Sequence, residues 1–409
     1  MHIDKGTKTI VIAELKILRR RDEVLKSKKG MRWGGLLLAI VVIAGVLMIG
    51  CARAPAPTPT PTATQPPAEL PKNPVLGTTV LAGTPWVDTT QFKKDPPWTI
   101  GFSNPSLSNE WRVYELGLMN YWVDQNKTLI KNFYSTDSQD NPVKQIGDTE
   151  DLMVKGIEVL LSSPGTPAAN PGQEKAYQKG LPVVQFDRTG NTEQYTAILL
   201  TDEIEIGKKL TKWLVDAIGG KGNIVVFSGF AGSWPSEGRL IGMKQVLADY
   251  PDVKIVGGPV YTAWAFAPAK KAMEDFIAGI PQIDGIWADS GMMAKPAYEA
   301  WLEAGKEPIP AVGDGFNGWL KMWKEKNLPA HSVTNVPLYC GVSAMETAFK
   351  ILRGEPVPRT SYFSIYEIDD TNLDQWVRMD LSDALFLPDS VSGKFVPPEE
   401  LKKQIFGTK

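Results

Sequence analysis

The sequence predicts an α/β protein made of two doubly wound parallel-sheet lobes. From residue 98 onward, short runs rich in valine and isoleucine alternate with amphipathic segments, and polar loops follow each run. Such runs are typical of parallel strands that are buried on both faces of a sheet. Ten runs of this kind are too many for one small sheet, and 409 residues suffice for two or three domains.

The predicted elements follow one another regularly along the chain. The predicted strands are residues 98–102, 128–134, 157–161, 182–186, 196–200, 223–227, 253–258, 284–288, 309–313 and 331–335. The predicted helices are residues 111–126, 142–155, 168–179, 203–218, 235–249, 268–279, 292–304, 316–326 and 341–353. This alternation makes each helix a crossover between parallel strands.

The composition excludes several classes of function. The sequence has 44 Lys and Arg residues against 46 Asp and Glu residues, which gives a net charge of −2. Proteins that bind nucleic acids are usually basic, so this charge argues against such a partner. Two histidines and two cysteines argue against a zinc cluster, a disulfide framework and histidine-based catalysis. Neither a Walker loop nor a G-x-S-x-G elbow is present. We therefore expect no enzymatic activity, cofactor or metal.

The N-terminal region indicates where the protein resides. Residues 1–30 form a basic extension, and the uncharged run 33–50 follows it. Positive charge ahead of such a run marks the cytoplasmic side of a membrane. The segment 31–51 ends in LMIGC, which resembles a bacterial lipoprotein box with Cys51 as the lipidated residue. A plain membrane anchor is the alternative, because the run is just long enough to span a bilayer.

A linker is predicted between this segment and the folded body. Residues 52–71 are almost entirely proline, alanine and threonine, and the linker extends to residue 96. Proline fixes the backbone angle φ and lacks the backbone N–H donor, so this stretch is expected to be an extended spacer. The chain is thus predicted to be an extracytoplasmic, membrane-tethered protein of a bacterium, either in the periplasm or on the outer face of the cytoplasmic membrane.

Polar side chains follow many of the predicted strands. Ligands of open α/β sheets bind beyond the carboxyl ends of the strands, so these residues are candidates for a binding site. They include Asn104, Asp187, Arg188, Asp289, Ser290, Asp314, Asn317 and Asn335, with the aromatic residues Trp111, Trp264 and Phe266 close by in sequence. Paired polar groups with aromatic walls suit a neutral polyol. The hydroxyls of such a ligand hydrogen-bond the polar groups, and its C–H surface packs on the aromatic rings.

Several segments carry a family resemblance. They include IGFSNPSLSNEWRVYELGLMNYW, VLLSSPGT, LPVVQFDRTG, TDEIEIGKKLTKWL, GFAGSWPSEGRLIGM, IWADSGMMAKPAYEAWLEAG and AVGDGFNG. Together they resemble the type I periplasmic sugar-binding proteins, the ribose-binding-like receptors of ABC importers, over residues 98–357. The resemblance implies two lobes joined by a hinge, with crossings near Thr201-Asp202, Asn335-Val336 and Thr360. Lobe 1 would comprise residues 97–201 with 336–360, and lobe 2 residues 202–335 with 361–409.

The resemblance also implies roles for individual residues. Asp187 and Arg188 match a pair that grips sugar hydroxyls. Asn104 matches an amide of the first lobe, Trp111 a stacking aromatic, and Asn335 a hinge-side amide. The remaining matches are Phe266 or Trp264 as the second-lobe wall, Asp289 and Ser290 at a polar position, Asp314 or Asn317 as a cleft acid, Glu237 where a sugar-contacting arginine often stands, and Arg239 at the neighbouring arginine.

The implied function is capture of a sugar by closure of the hinge, followed by delivery to the permease of an ABC importer. We expect the receptor to be a monomer. A receptor of the same fold for an amino acid, nucleoside or signal molecule remains open, as does a sensor linked to a chemoreceptor. Asp289 could also act as a helix cap, and Cys340 is expected to be a buried thiol.

Overall fold

The structure, a computed structural model, describes residues 77–386 and the two residues 63–64. The predicted basic extension, Cys51 and nearly all of the proline-rich stretch lie outside the described residues. In the described part of the chain, no helix combines the length and the apolar character needed to cross a membrane.

The described strands and helices alternate as the sequence predicts. The strands are β1 (Ala63–Thr64), β2 (Thr78–Thr79), β3 (Trp86–Val87), β4 (Trp98–Ser103), β5 (Ile130–Ser135), β6 (Val159–Ser162), β7 (Val183–Asp187), β8 (Ala197–Leu200), β9 (Gly222–Ser228), β10 (Val253–Tyr261), β11 (Gly285–Ala288), β12 (Ala311–Gly313), β13 (Ala330–Thr334), β14 (Val357–Pro358), β15 (Thr360–Phe363) and β16 (Tyr366–Ile368). The helices are α1 (Glu110–Gln125), α2 (Pro142–Val154), α3 (Asn170–Gln178), α4 (Glu203–Ala217), α5 (Trp234–Leu247), α6 (Phe266–Gly279), α7 (Gly291–Glu303), α8 (Asn317–Lys326), α9 (Pro337–Arg353) and α10 (Leu373–Trp376).

Two parallel-dominated sheets form the body of the protein. The first has the order β2-β15-β8-β7-β6-β4-β5, and the second has the order β10-β9-β11-β12-β13-β16. Only β2 and β16 pair antiparallel to their neighbours in these sheets. β4 lies between β5 and β6, and β9 lies between β10 and β11, so both sheets are doubly wound. The predicted fold class is confirmed, and we call each sheet with its helices a lobe.

Burial on both faces explains why these segments are strands. All six residues of β4 are buried, and Trp287 of β11 is fully buried. Separate apolar clusters cover the two faces of each sheet. Strands whose residues are apolar throughout, rather than alternately apolar and polar, require burial on both faces. Helix α4 begins where Asp202 accepts a hydrogen bond from the backbone N–H of Glu205, an N-cap that the sequence carries.

The chain passes between the two lobes three times. The chain leaves the first lobe after β8, since the next helix, α4, packs on α5 and β13 of the second lobe. It returns to the first lobe after β13, since the next helix, α9, packs on α1 and β7. The third passage lies between β15, which pairs with β8, and β16, which pairs with β13. The predicted boundary at Thr360 is therefore a few residues too early.

Two further boundaries differ from the sequence-based prediction. The linker does not extend to residue 96, because β2 pairs with β15 and β3 pairs with β14. Strands of two residues carry no periodicity from which they could be predicted. Helix α9 begins at Pro337 rather than at residue 341, since proline fits the first turn of a helix, where its missing N–H has no partner to lose.

Helices α4 and α5 of the second lobe meet at two glycines. A Cβ on Gly207 would lie 2.1 Å from the backbone oxygen of Arg239, and a Cβ on Gly242 would lie 2.1 Å from that of Ile204. Any side chain at either position would therefore have to push the two helices apart.

We predict that Gly207→Ala lowers the free energy of unfolding by about 2 kcal/mol, because the added methyl overpacks this contact. Urea unfolding measures the change. Gly147→Ala is the matched control, since Gly147 lies in the exposed face of α2 with no atom within 4 Å of the added Cβ. That variant should be stabilised by up to about 1 kcal/mol through helix propensity. Equal effects of the two changes would contradict the close helix approach.

Candidate functional site

A cleft lies at the carboxyl ends of the strands, where residues of both lobes meet. About 450 Å³ of space lies between its walls, part of it open to solvent. Its lining residues are Asn109, Trp111, Arg112, Asp187, Arg188, Glu203, Pro235, Arg239, Trp264, Ser290, Met292, Asp314, Asn335 and Phe386.

A buried charge network forms the first-lobe side of the cleft. Arg112 of α1 donates to Asp187 at the end of β7, to Glu115 at 2.9 Å and to Ser163 Oγ at 3.1 Å. Arg112 and Glu115 are almost fully buried. Burial raises the pKa of Glu115 to about 8, although the Arg112 guanidinium opposes the rise. Arg112 therefore holds Asp187 in place at the edge of the cleft.

Of the two first-lobe arginines that line the cleft, Arg188 has the longer polar contacts, and its buried Nε has no hydrogen-bond partner. Its side chain is 4% exposed, its Nε lies 3.6 Å from Asp187 Oδ2, and its Nη1 lies 3.4 Å from the carbonyl oxygen of Gly165. Burial, together with the charge of the neighbouring Arg112, lowers the pKa of Arg188 to about 10. Asp187 has φ of +63°, a backbone conformation that aspartate tolerates better than most residues. This turn directs Arg188 into the cleft with donors to spare.

A second buried network forms the opposite side. Arg239 of α5 donates from Nε to Glu203 at 2.6 Å and from Nη1 to the carbonyl oxygen of Asp289, and its Nη1 lies 3.7 Å from Asp314. Burial raises the pKa of Glu203 to about 7 and that of Asp314 to about 6, in each case against the Arg239 charge. Asp187 across the cleft also raises the pKa of Glu203, so the two networks are within electrostatic reach.

Trp264 connects the two sides. Its φ is +55°, and its indole N–H donates to Asp289 Oδ1 at 3.0 Å. The ring lies so close to Gly229 that a Cβ there would be 1.9 Å from it. Arg188 of the other lobe lies over the ring, 5.4 Å from its centroid. This cation–π contact crosses the cleft and joins one lobe to the other.

The hinge side of the cleft is held by an amide. Asn335 Nδ2 donates to Thr201 Oγ1 at 2.6 Å, which links two of the three passages between the lobes. On the floor of the cleft, Ser290 Oγ caps α7 by accepting from Met292 N, and it donates to Asp314 Oδ1 at 3.2 Å. Ser290, rather than Asp289, is thus the helix cap.

The structure brings together eight of the thirteen predicted site residues. Those that line the cleft are Trp111, Asp187, Arg188, Arg239, Trp264, Ser290, Asp314 and Asn335. Of the two pairs that the sequence left open, Trp264 and Asp314 lie at the cleft, whereas Phe266 and Asn317 do not. Their ligand contacts remain predictions.

The other five predicted residues are placed elsewhere. Asn104 donates to the carbonyl oxygen of Ser106, and Glu237 accepts from Gly232 N and Tyr261 Oη. The remaining three have their own protein partners: Phe266 packs edge-on against Phe316, Asp289 accepts from Ser228, Gly229 and Trp264, and Asn317 bonds Arg378 and Ser382. Asp289 and Asn317 are thus occupied by partners that are distant in sequence, which a single sequence does not show.

Sequence reasoning missed six lining residues: Asn109, Arg112, Glu203, Pro235, Met292 and Phe386. One signal was available, because Arg112 and Glu115 are spaced i,i+3 within a predicted helix, as ion pairs often are. The expected thiol Cys340 is fully buried, which confirms that prediction. In the described residues, no group of three or more His, Cys, Asp or Glu side chains could hold a metal ion.

A family model covers most of this two-lobed body. Residues 100–356 match the model described as the periplasmic binding protein domain, which is more than half of the 409 residues. The chain belongs to this family. The type I resemblance inferred from sequence is confirmed, and the relatives below are named as binding proteins rather than as enzymes, in agreement with the prediction.

Several known proteins are similar to this periplasmic binding protein. A xylitol-binding protein of Mycolicibacterium smegmatis is 28% identical over 63% of this chain and 73% of its own. A ribose import binding protein of Escherichia coli is 26% identical over 55% of this chain and 76% of its own. A solved structure from Mycobacterium smegmatis in complex with β-D-fucofuranose is 25% identical, covers 68% of this chain and 93% of that chain, and has a TM-score of 0.62.

The buried carboxylates of the site predict a pH dependence of stability. The pKa of Glu115 is about 8 in the folded chain, against an ordinary value of 4.5. At pH values between these two, the folded chain keeps a proton on Glu115 that the unfolded chain releases. The free energy of unfolding should therefore fall as the pH rises from about 5 to about 8. Glu115→Gln should reduce this fall, as measured by urea unfolding across that range.

The matched control for this prediction is Glu205→Gln. Glu205 is also a helical glutamate, but its side chain is 41% exposed. Its removal should leave the pH profile of the wild type unchanged. If Glu115→Gln kept the full wild-type slope, the proton would not reside on Glu115.

Proposed function

We propose that the protein captures a neutral sugar or polyol between its two lobes and delivers it, as a monomer, to the permease of an ABC importer. The observation that carries the proposal is the contact of Arg188 with Trp264 across a cleft whose two walls are buried polar networks. The names of the relatives, which are receptors for xylitol and ribose, support a ligand of this class.

The charge arrangement favours an uncharged ligand. Every cleft arginine lies against a buried acidic residue: Arg112 against Glu115 and Asp187, Arg188 against Asp187, and Arg239 against Glu203. A ligand with a net charge would disturb these balanced networks in a region of low dielectric. Hydroxyl groups can both donate and accept, so they can bond Arg188 and the carboxylates without adding charge.

Hinge closure provides the capture step. A ligand that bonds Asp187 and Arg188 of the first lobe and Asp314 of the second bridges the two, so it binds the closed form more tightly and shifts the population toward it. Trp264 and Trp111 would cover the C–H surface of the ligand. A molecule that left these buried donors unpaired would lose much of its affinity, which is the basis of selection.

The expected experiment is a thermal unfolding series on the purified chain with xylitol, D-ribose, D-xylose, D-fructose, L-fucose and myo-inositol. At least one member should raise the unfolding temperature, because a ligand that binds only the folded state stabilises it, by about 2.7 kcal/mol at a hundredfold excess over Kd. L-amino acids and nucleosides form the opposing panel. Stabilisation by that panel alone would replace the sugar assignment with the non-sugar receptor.

The same assay with variants tests the cleft. Arg188→Ala should abolish the stabilisation by the active sugar and leave the far-UV spectrum intact. Arg359→Ala is the matched control, because Arg359 also lies over an aromatic ring, that of Tyr195, but it does not line the cleft. Normal binding by Arg188→Ala would remove Arg188 from the site.

We also propose that the receptor is tethered to the membrane through a lipid on Cys51. Family membership supports an extracytoplasmic location, and the lipoprotein-like sequence before Cys51 supports the tether. Mass spectrometry of the protein from membranes should find a chain that begins at a diacylglyceryl-modified Cys51. Cys51→Ser should be unmodified. An uncleaved N-terminus in the wild type would favour the plain anchor instead.

A further inference from the structure

The C-terminal part of the described chain crosses the second lobe beside the cleft. We call residues 377–386 the strap. It follows α10 and runs past the N-terminus of α8, and its apolar residues Leu381 and Leu385 are buried. The strap lies beyond the family match, which ends at residue 356. Strands β15 and β16 also lie beyond this match, so the strap continues the part of the two-lobed body that the family model does not cover.

Asn317 and the turn before it hold the strap in place. The side chain of Asn317 donates to the carbonyl oxygens of Arg378 and Ser382, both at 2.9 Å, and accepts from Arg378 N at 2.8 Å. The backbone N–H of Asn317 also donates to the carbonyl oxygen of Leu385 at 2.8 Å. The amide that the sequence predicted as a ligand contact is thus the anchor of the strap.

A buried lysine supplies a second anchor. Lys321 is 3% exposed, and its ammonium group donates to the carbonyl oxygen of Leu381 and to Asp383 Oδ1 at 3.1 Å. Gly318 N donates to the carbonyl oxygen of Asp383 at 2.9 Å. These bonds all attach the strap to α8, so it moves with the second lobe.

The strap places Phe386 at the cleft. Phe386 forms an antiparallel bridge with Phe316, and the two ring centroids are 5.3 Å apart. Its side chain is almost fully buried, yet it lines the same cleft as Trp264 and Met292. A large apolar ring that the rest of the strap holds rigidly against Phe316 is thus presented to the ligand space.

We propose that Phe386 is a specificity-determining wall of the binding cleft, which the strap adds to the second lobe. This inference rests on the proposed sugar-binding function. The ring would cover the C–H face of a cyclic sugar, while the charged networks bond its hydroxyls. Because the strap is fixed to α8, the ring would close over the ligand together with the second lobe. Ligands without an apolar face gain least from this wall.

The test is isothermal titration of the full chain with each member of the sugar panel. Phe386→Ala should weaken binding of the best cyclic sugar by about tenfold or more, the equivalent of a lost buried aromatic contact. It should weaken binding of open-chain xylitol less, so the selectivity between the two should change. Phe386→Tyr keeps the ring face and should restore the affinity and selectivity of the wild type.

Two further variants separate the wall from general destabilisation. Asn317→Ala releases the strap without removing the ring and should mimic Phe386→Ala. Phe276→Ala removes a ring that packs edge-on against Phe227 outside the cleft lining, so it should lower stability but leave selectivity unchanged. Wild-type affinity and selectivity in Phe386→Ala would overturn the proposal, and so would an equal loss in Phe276→Ala.

A ligand-independent measurement distinguishes failure of this proposal from failure of the proposed function. If the wild type bound no member of the panel, the proposed function would fail. Thiol labelling would then test whether Phe386 covers the cleft. Met292→Cys places a thiol in the cleft, and peptide mass spectrometry reports its reaction with iodoacetamide. Adding Phe386→Ala should speed this reaction several-fold. An unchanged rate would show that Phe386 does not cover the cleft.

Discussion

A guanidinium buried beneath each half of the cleft sets the geometry of the site. Arg112 in the first lobe and Arg239 in the second are both more than nine-tenths buried, and each is surrounded by carboxylates. A charge in such a place is tolerated only when it is paired and its hydrogen bonds are satisfied. The carboxylates that pair with the arginines are therefore fixed in position before a ligand arrives. Preorganisation of this kind reduces the entropy that binding would otherwise cost.

This arrangement divides the polar groups of the cleft into supports and contacts. Glu115 and Glu203 accept hydrogen bonds from the arginines, and burial raises the pKa of both carboxyls. Arg188 has only long contacts to protein atoms, so it is the group whose hydrogen-bonding capacity is left for a ligand. Its position over Trp264 also means that opening the lobes must break a contact between them. Capture and closure are thereby coupled through one side chain.

The strap changes the character of one wall. The matched family domain supplies polar groups from the strand ends, whereas Phe386 arrives from a segment that follows this domain in sequence. The strap reaches this wall through bonds to α8, and none of them involves Arg112 or Arg239. Asn317 shows the structural side of this arrangement, because its whole amide is used to hold the strap.

Local sequence alone determined the fold class and the residues at the strand ends. Uninterrupted apolar runs must be buried on both faces, and the residues that follow them must meet at one edge, so Asp187, Arg188 and Asp314 were predictable. Only the tertiary structure decided which of these side chains have hydrogen-bonding groups left for a ligand. Asp289 and Asn317 are occupied by partners distant in sequence, and Phe386 reaches the cleft from the far end of the described chain. Hydrogen bonds across such separations leave no periodic pattern, because they depend on how the lobes and the strap are assembled.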